Sequence, residues 1–132
     1  MKKLILFFGL FLLVAGASCQ QQGGNAPGDP ATVEVISVEN FAQDIAAEGI
    51  QVVDVRTQEE VDQGTITGAM HIDFFADDFQ AQLEEKLDKE KPVYVFCRSG
   101  NRSNKAANMM ADMGFTKVYD MDGGWVAWSK KE

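Results

Sequence analysis

Cysteine, histidine and proline are all scarce in this chain, whose 132 residues include 2 Cys, 1 His and 3 Pro. Cys19 and Cys97 lie 78 positions apart, which excludes a disulfide-rich scaffold and a metal site built from four cysteines. Basic residues are also few, with 12 Lys and Arg against 20 Asp and Glu and a net charge of −8. Because a nucleic-acid binder needs a basic surface, this balance excludes that class of protein.

The rest of the composition is that of a globular protein. Apolar residues make up 45% and charged residues 24% of the chain, which excludes wholesale disorder. A length of 132 residues is enough for one compact domain.

The first segment of the chain has the features of an export signal. Lys2 and Lys3 precede an apolar run of 11 residues, 4–14. At about 1.5 Å per residue this run is too short to cross a hydrocarbon core of about 30 Å. It therefore predicts a secretory signal peptide over residues 1–18.

Two processing sites compete at the end of this signal. Ala15, Gly16 and Ala17 permit ordinary cleavage after Ala17, which would leave a soluble periplasmic protein with a spare thiol. Residues 16–19, Gly-Ala-Ser-Cys, resemble a bacterial lipobox, although Gly16 stands where a leucine-like residue is usual. This resemblance favours a lipidated Cys19 as the first residue of the mature protein.

Residues 19–31 predict a flexible tether between that lipid and the folded domain. Residues 20–31 contain three Gly and two Pro and have almost nothing to bury. Twelve residues reach roughly 40 Å at most and typically about 20 Å. We therefore expect an exported periplasmic protein, held beside a bacterial membrane, with its domain over residues 32–132.

Strands and helices alternate through that domain. The predicted strands are 33–36, 50–55, 70–72, 93–96 and 116–119, and the predicted helices are 38–48, 58–62, 76–89, 103–113 and a last one opened by residues 123–124. This alternation predicts a single α/β domain, with a central parallel sheet covered by helices on both faces. In such sheets, ligands bind at the carboxyl ends of the strands, and Cys97 follows strand 93–96 directly.

The segment from Cys97 to Ser103, Cys-Arg-Ser-Gly-Asn-Arg-Ser, is the candidate for chemistry. It leads from a buried strand into a helix N-terminus, so unpaired backbone N–H groups would point into a concavity beside the sulfur. Gly100 allows a positive φ or a close backbone approach. Arg98, Arg102 and Lys105 add positive charge in a stretch that has no acidic residue between 91 and 111.

These surroundings predict a lowered pKa for the Cys97 thiol. At a reference pKa near 8.5 only about 3% of a thiol is ionised at pH 7, and a fall of about two units raises this to about three-quarters. Such a cradle stabilises a thiolate, a persulfide or a bound oxyanion alike, so the residues alone leave these chemistries open.

Four motifs, in order, resemble those of the single-domain rhodanese-like (sulfurtransferase) family, over about residues 33–130. They are Asp54-Val55-Arg56, then Glu59-Glu60 with residues 64–69, Gly-Thr-Ile-Thr-Gly-Ala, then the 97–103 loop, and then residues 123–128, Gly-Gly-Trp-Val-Ala-Trp. The second motif departs from the family twice, since Thr65 stands where His is frequent and Thr67 where Pro is frequent. These departures affect the stiffness of a loop more than the nucleophile.

The resemblance implies a rhodanese-like fold and a sulfurtransferase reaction in two steps. Cys97 takes a sulfane sulfur from a small anionic donor such as thiosulfate, or from a persulfide or polysulfide, and becomes a persulfide. An acceptor, either cyanide or a thiol of a small molecule or protein, then removes that sulfur. The N–H groups of residues 98–103 hold the persulfide, and Arg98 and Arg102 attract the donor and stabilise the departing sulfite. No metal or organic cofactor is implied.

Three other functions remain as alternatives. A cysteine phosphatase or arsenate reductase has five residues between Cys and Arg, whereas four separate Cys97 from Arg102, and Phe96 stands where a tyrosine phosphatase has His. A non-catalytic rhodanese-like binding module would be favoured by a missing nucleophile, which is present here. A thioredoxin-type shuttle needs a second cysteine near Cys97.

The remaining candidates are interpreted as structural or supporting residues. Arg56 is expected to form an ion pair with Glu60 rather than to contact substrate, with Asp54 beside it. Trp125 is expected in the core and as a wall of the pocket. Three residues of the loop are expected to shape the turn and cap the helix: Ser99, Asn101 and Ser103. His71 is interpreted as a loop residue rather than a general base.

Overall fold

The computed structural model describes residues 30–131, so the predicted signal peptide, Cys19 and most of the predicted tether lie outside the described residues. The elements are β1 (Thr32–Ile36), α1 (Val38–Asp44), β2 (Gln51–Asp54), α2 (Gln58–Asp62), β3 (Met70–His71), α3 (Phe79–Lys86), β4 (Val93–Phe96), α4 (Asn101–Asp112), β5 (Lys117–Met121) and α5 (Gly124–Trp128). Within this part of the chain, no helix is both long and apolar enough to cross a membrane.

The five strands form one sheet in the order β1-β5-β4-β2-β3, and every neighbouring pair is parallel. The most apolar strand, β4, lies at the centre and is buried at all four positions. A strand buried on both faces needs apolar side chains at successive positions, which is why residues 93–96 show no polar alternation. The predicted fold class, a parallel α/β sheet, is confirmed.

Side chains alternate between two cores, one on each face of the sheet. Val93 and Val95 point to the face covered by α3 and α4, where Met110 is fully buried. Tyr94 and Phe96 point to the opposite face, which α1 and α5 cover. The predicted coverage of both faces is therefore confirmed.

Three predicted helices differ from the observed ones at their ends. The first ends at Asp44 rather than at residue 48, and α3 starts at Phe79 rather than at 76. The delay in α3 follows from a turn at Asp73, whose carboxylate accepts the Phe75 N–H at 2.9 Å. In α4 the helix begins at Asn101 rather than Ser103, because Gly100 takes the N-cap position with φ 108°.

This last difference corrects the predicted capping role of Ser103. The residue lies inside the first turn of α4, is fully buried, and donates its hydroxyl to the Gly100 carbonyl at 3.2 Å. Ser103 is thus a buried contact of the loop that begins at Cys97, through the Gly100 carbonyl.

Candidate active site

The loop between β4 and α4 turns its backbone toward the Cys97 sulfur. The Gly100 N–H donates to Cys97 Sγ over an N–S distance of 3.1 Å. Gly100 reaches this position with a φ of 108°, a conformation that residues with a Cβ rarely adopt. The chain then enters α4, where the Asn104 N–H donates to the Gly100 carbonyl at 3.0 Å. The predicted strand–turn–helix arrangement therefore places N–H groups against the sulfur.

Cys97 is recessed, with only 1% of its surface exposed. Burial is the largest single influence on its pKa and raises it, but the hydrogen bonds act in the other direction. Hydrogen bonding by Ser103 and by the backbone N–H groups of Gly100 and Ser99 favours the thiolate. Together they outweigh burial, so the pKa of the Cys97 thiol lies below its ordinary value. An inert cysteine in an apolar core would show the opposite shift.

Helix α5 fixes the same loop from its carbonyl side. The Trp125 N–H donates to the Cys97 carbonyl at 2.8 Å, and the Val126 N–H donates to the Arg98 carbonyl at 3.0 Å. This approach requires glycine at position 124, where a Cβ would lie 2.5 Å from the Cys97 carbonyl oxygen. In the sequence, the Gly123-Gly124 pair predicts the start of a helix and belongs to the fourth motif, but neither indicates this close approach.

Arg102 is held by a carboxylate of α2 rather than left free. Its guanidinium donates to both Glu60 oxygens, at 2.7 and 2.8 Å, and lies 5.7 Å from the centroid of the Phe75 ring. The hydrogen bond from Arg102 is the largest influence on the pKa of Glu60, which is lowered to about 2. Glu60 also accepts the Thr57 N–H at 3.0 Å in a capping box. Arg102 is therefore fixed in place over a wide pH range.

The predicted ion pair between Arg56 and Glu60 is wrong, because each has a different partner. Arg56 pairs with Asp54 at 2.7 Å, and both residues are 1% exposed. Only the backbone carbonyl of Glu60 accepts a hydrogen bond from Arg56, at 3.3 Å. The short spacing between positions 56 and 60 suggested the pair, but Asp54 lies closer and is buried with Arg56.

Arg56 connects three parts of the structure around this buried pair. Its guanidinium donates to the Gly64 carbonyl at 2.7 Å and lies 4.6 Å from the centroid of the Trp125 ring. The carboxylate of Asp54 also accepts the Thr65 hydroxyl at 2.7 Å. Asp54, Arg56 and Trp125 are thus brought together as a support that joins β2, the loop after α2, and α5.

The other predicted residues occupy the outside of the loop. Arg98, Ser99 and Asn101 are exposed. No carboxylate among residues 30–131 lies within ion-pair distance of Arg98. His71 Nε2 lies 2.7 Å from the Arg56 carbonyl. In the described part of the chain, no three His, Cys, Asp or Glu residues are grouped as metal ligands.

Comparisons with known proteins agree with this architecture. The family profile described as "Rhodanese-like domain" matches residues 37–131. The chain is 40% identical over 89 residues to "Thiosulfate sulfurtransferase GlpE" of Pseudomonas fluorescens, covering 66% of this chain and 77% of that protein. It is 34% identical over 110 residues to "Thiosulfate sulfurtransferase 16, chloroplastic" of Arabidopsis thaliana, covering 76% of this chain and 88% of that protein.

A solved structure shares the fold as well. A rhodanese-like domain protein from Staphylococcus aureus superimposes with a TM-score of 0.64 at 28% identity, covering 72% of this chain and 90% of that chain. The profile match, the sequence relatives and the loop geometry agree, and this chain belongs to the rhodanese-like domain family.

Proposed function

We propose that the protein is a sulfurtransferase that carries a sulfane sulfur as a persulfide on Cys97. The observation that carries this proposal is the Cys97 sulfur, which accepts the Gly100 N–H at 3.1 Å and has a lowered pKa. A thiolate is the nucleophilic form of cysteine. The two relatives named as thiosulfate sulfurtransferases support the same activity.

The reaction runs in two balanced steps. In the first, the Cys97 thiolate attacks the outer sulfur of thiosulfate, a new S–S bond forms, and sulfite leaves with the electron pair of the old bond. In the second, an acceptor thiolate or cyanide attacks the outer sulfur of the persulfide, and Cys97 is released as a thiolate. The loop N–H groups stabilise the anionic sulfur of the Cys97 thiolate before the first step and of the persulfide after it.

The two arginines of the loop have different roles in this proposal. Arg98 is exposed and offers its charge to an anionic donor and to departing sulfite. Arg102 donates both ends of its guanidinium to Glu60, so its main role is to hold the start of α4 against α2. The spacing of the loop disfavours the phosphatase and arsenate reductase alternative, because four residues separate Cys97 from Arg102 and those enzymes have five.

The direct test is the intact mass of the protein before and after incubation with thiosulfate. We expect a gain of one sulfur atom, located on Cys97 by peptide mapping and removed by cyanide with formation of thiocyanate. An unchanged mass together with hydrolysis of an aryl phosphate would support the phosphatase alternative. An unchanged mass without hydrolysis would leave the non-catalytic binding module as the better interpretation.

We further propose that the protein is exported and anchored through a lipid on Cys19. The support is in the sequence, in the basic and apolar signal over residues 1–18 and the small residues before Cys19. The tether of residues 19–31 would place the domain beside the membrane, within reach of a thiol or protein acceptor.

The mass of the mature protein from a bacterial membrane fraction tests this anchoring. We expect an N-terminal peptide that begins at a lipid-modified Cys19. The variant Cys19→Ser should be recovered in the soluble fraction, because it has no sulfur to modify. An unmodified start at Ser18 or Cys19 in the soluble fraction of the unaltered protein would overturn the proposal.

A further inference from the structure

An open cavity lies beside the Cys97–Ser103 loop, between the start of α4 and the carboxyl end of β5. Its volume is about 370 Å³, within the range of about 300–1,000 Å³ that is usual for small-molecule sites. Most of its lining comes from the loop, α4 and the end of β5: Ser99, Gly100, Asn101, Asn104, Asp120 and Asp122. Cys97 does not line it, so this cavity is distinct from the sulfur site.

One wall of the cavity is a buried carboxylate without a partner. Asp120 lies in β5 and is only 2% exposed, and its Oδ1 atom has no hydrogen-bond partner among residues 30–131. Val118, two residues earlier in the strand, packs in the core under α4, so the Asp120 side chain also points toward α4. Asn104 of α4 lines the cavity with it. Because burying a polar atom without a partner is costly, a ligand in the cavity would explain this arrangement.

The cavity carries negative charge that no basic side chain offsets. Asp122 is exposed and lines it together with Asp120. Within the described chain, neither carboxylate forms an ion pair, and no lysine or arginine lines the cavity. The Gly100 N–H at the start of α4 is already engaged by the Cys97 sulfur. Burial, assisted by the charge of Asp122, raises the pKa of Asp120 to about 6, so the carboxyl is ionised at neutral pH and attracts a cation.

The size and the donor atoms of the cavity fit an organic ammonium group better than a metal ion. A Ca²⁺ ion takes about six to eight oxygen ligands, whereas residues 30–131 contain no three acidic, histidine or cysteine residues grouped as metal ligands. An ammonium group donates three hydrogens, which the two carboxylates and the amide oxygens of Asn101 and Asn104 can accept. Val35 and Met121 also line the cavity and offer apolar contact to an attached alkyl chain.

We propose that this cavity binds a small organic molecule that carries a primary ammonium group, with the charge held by Asp120 and Asp122. The ligand would contact Ser99 and Gly100, so its binding should be detectable in the loop that surrounds the sulfur. The site does not use Cys97, and the inference therefore does not depend on the proposed sulfur transfer.

The test is a titration followed by NMR of the backbone amides at neutral pH and constant ionic strength, with n-butylammonium chloride as the probe. We expect saturable shifts at the amides of Gly100, Asn101 and Asp122. The matched neutral probe is 1-butanol, which has the same alkyl chain without the charge and should bind at least about tenfold more weakly. Equal binding of the two probes would overturn the inference. Failure of butylammonium to saturate these shifts, whether or not calcium or magnesium chloride does so, would also overturn it.

Substitutions in the cavity test the role of its charges. Asp120→Asn keeps the shape of the side chain and is expected to raise the dissociation constant of butylammonium about tenfold. Asp122→Asn removes an exposed charge and should raise it about threefold. The control is Glu48→Gln, which removes an exposed carboxylate that does not line the cavity and should leave the constant unchanged.

An unchanged dissociation constant in folded Asp120→Asn would refute the inference. If that variant does not fold, an unchanged constant in Asp122→Asn would refute it instead. A loss in Glu48→Gln equal to that in Asp122→Asn would indicate only the net charge of the protein and would refute it as well. None of these measurements uses a sulfur donor, so their outcome and that of the persulfide test are independent.

Discussion

The substitution Cys97→Ser is expected to abolish transfer of sulfur from thiosulfate to cyanide, with a loss on the order of 10³-fold or more. A serine hydroxyl is not ionised near neutral pH and cannot form a persulfide, although it fits the space of the thiol. The Gly100 N–H that donates to the sulfur can donate to the serine oxygen instead. The free energy of unfolding should therefore change by no more than about 1 kcal/mol.

The matched control for this experiment is the same substitution at the other cysteine. Cys19→Ser removes a sulfur that the proposed reaction does not use, so the purified protein should keep its transfer rate. Steady-state thiocyanate formation measures activity, and urea denaturation measures stability. Retained transfer by Cys97→Ser would show that the persulfide mechanism is incorrect.

The substitution Gly124→Ala is expected to cost about 3 kcal/mol of folding free energy, with a fall in activity. The added Cβ would lie 2.5 Å from the Cys97 carbonyl oxygen and 2.7 Å from the Arg98 carbonyl carbon and oxygen. The φ of 54° at this position adds strain for any residue other than glycine. Relief of the contact requires α5 to move away from the loop, which weakens the hydrogen bonds that Trp125 and Val126 donate.

The control variant Gly49→Ala separates the cost of the close contact at position 124 from the cost of a left-handed backbone. Gly49 also has a positive φ, 75°, but an added Cβ there would meet no atom within 4 Å. We expect this control to lose about 1 kcal/mol of folding free energy, the usual cost of a left-handed conformation for a residue with a Cβ. If urea denaturation gave equal losses for both variants, the close approach of α5 to the loop would have no energetic importance.

The fold could be predicted from the sequence because its central strands are apolar at successive positions. Val52 and Val53 of β2 and residues 93–96 of β4 contrast with the polar helix faces between them, and this contrast depends only on local periodicity. Helix ends were predicted less well, since the turn at Asp73 and the N-cap at Gly100 depend on single hydrogen bonds and one backbone angle.

The site could be located from the sequence, but its side-chain partners could not. Cys97 and its loop are contiguous, so the arrangement of strand, turn and helix was visible in one segment. Arg102 and Glu60 are 42 positions apart, and only the folded sheet brings them together.

The depth of the Cys97 sulfur, at 1% exposure, limits what can react with it. A linear species that ends in one sulfur atom can enter the loop end-on, whereas a folded protein must offer its thiol on a projecting tip or a flexible tail. Bulky thiol reagents are kept out by the same walls, so the enclosure acts as a size filter on what can react with the sulfur.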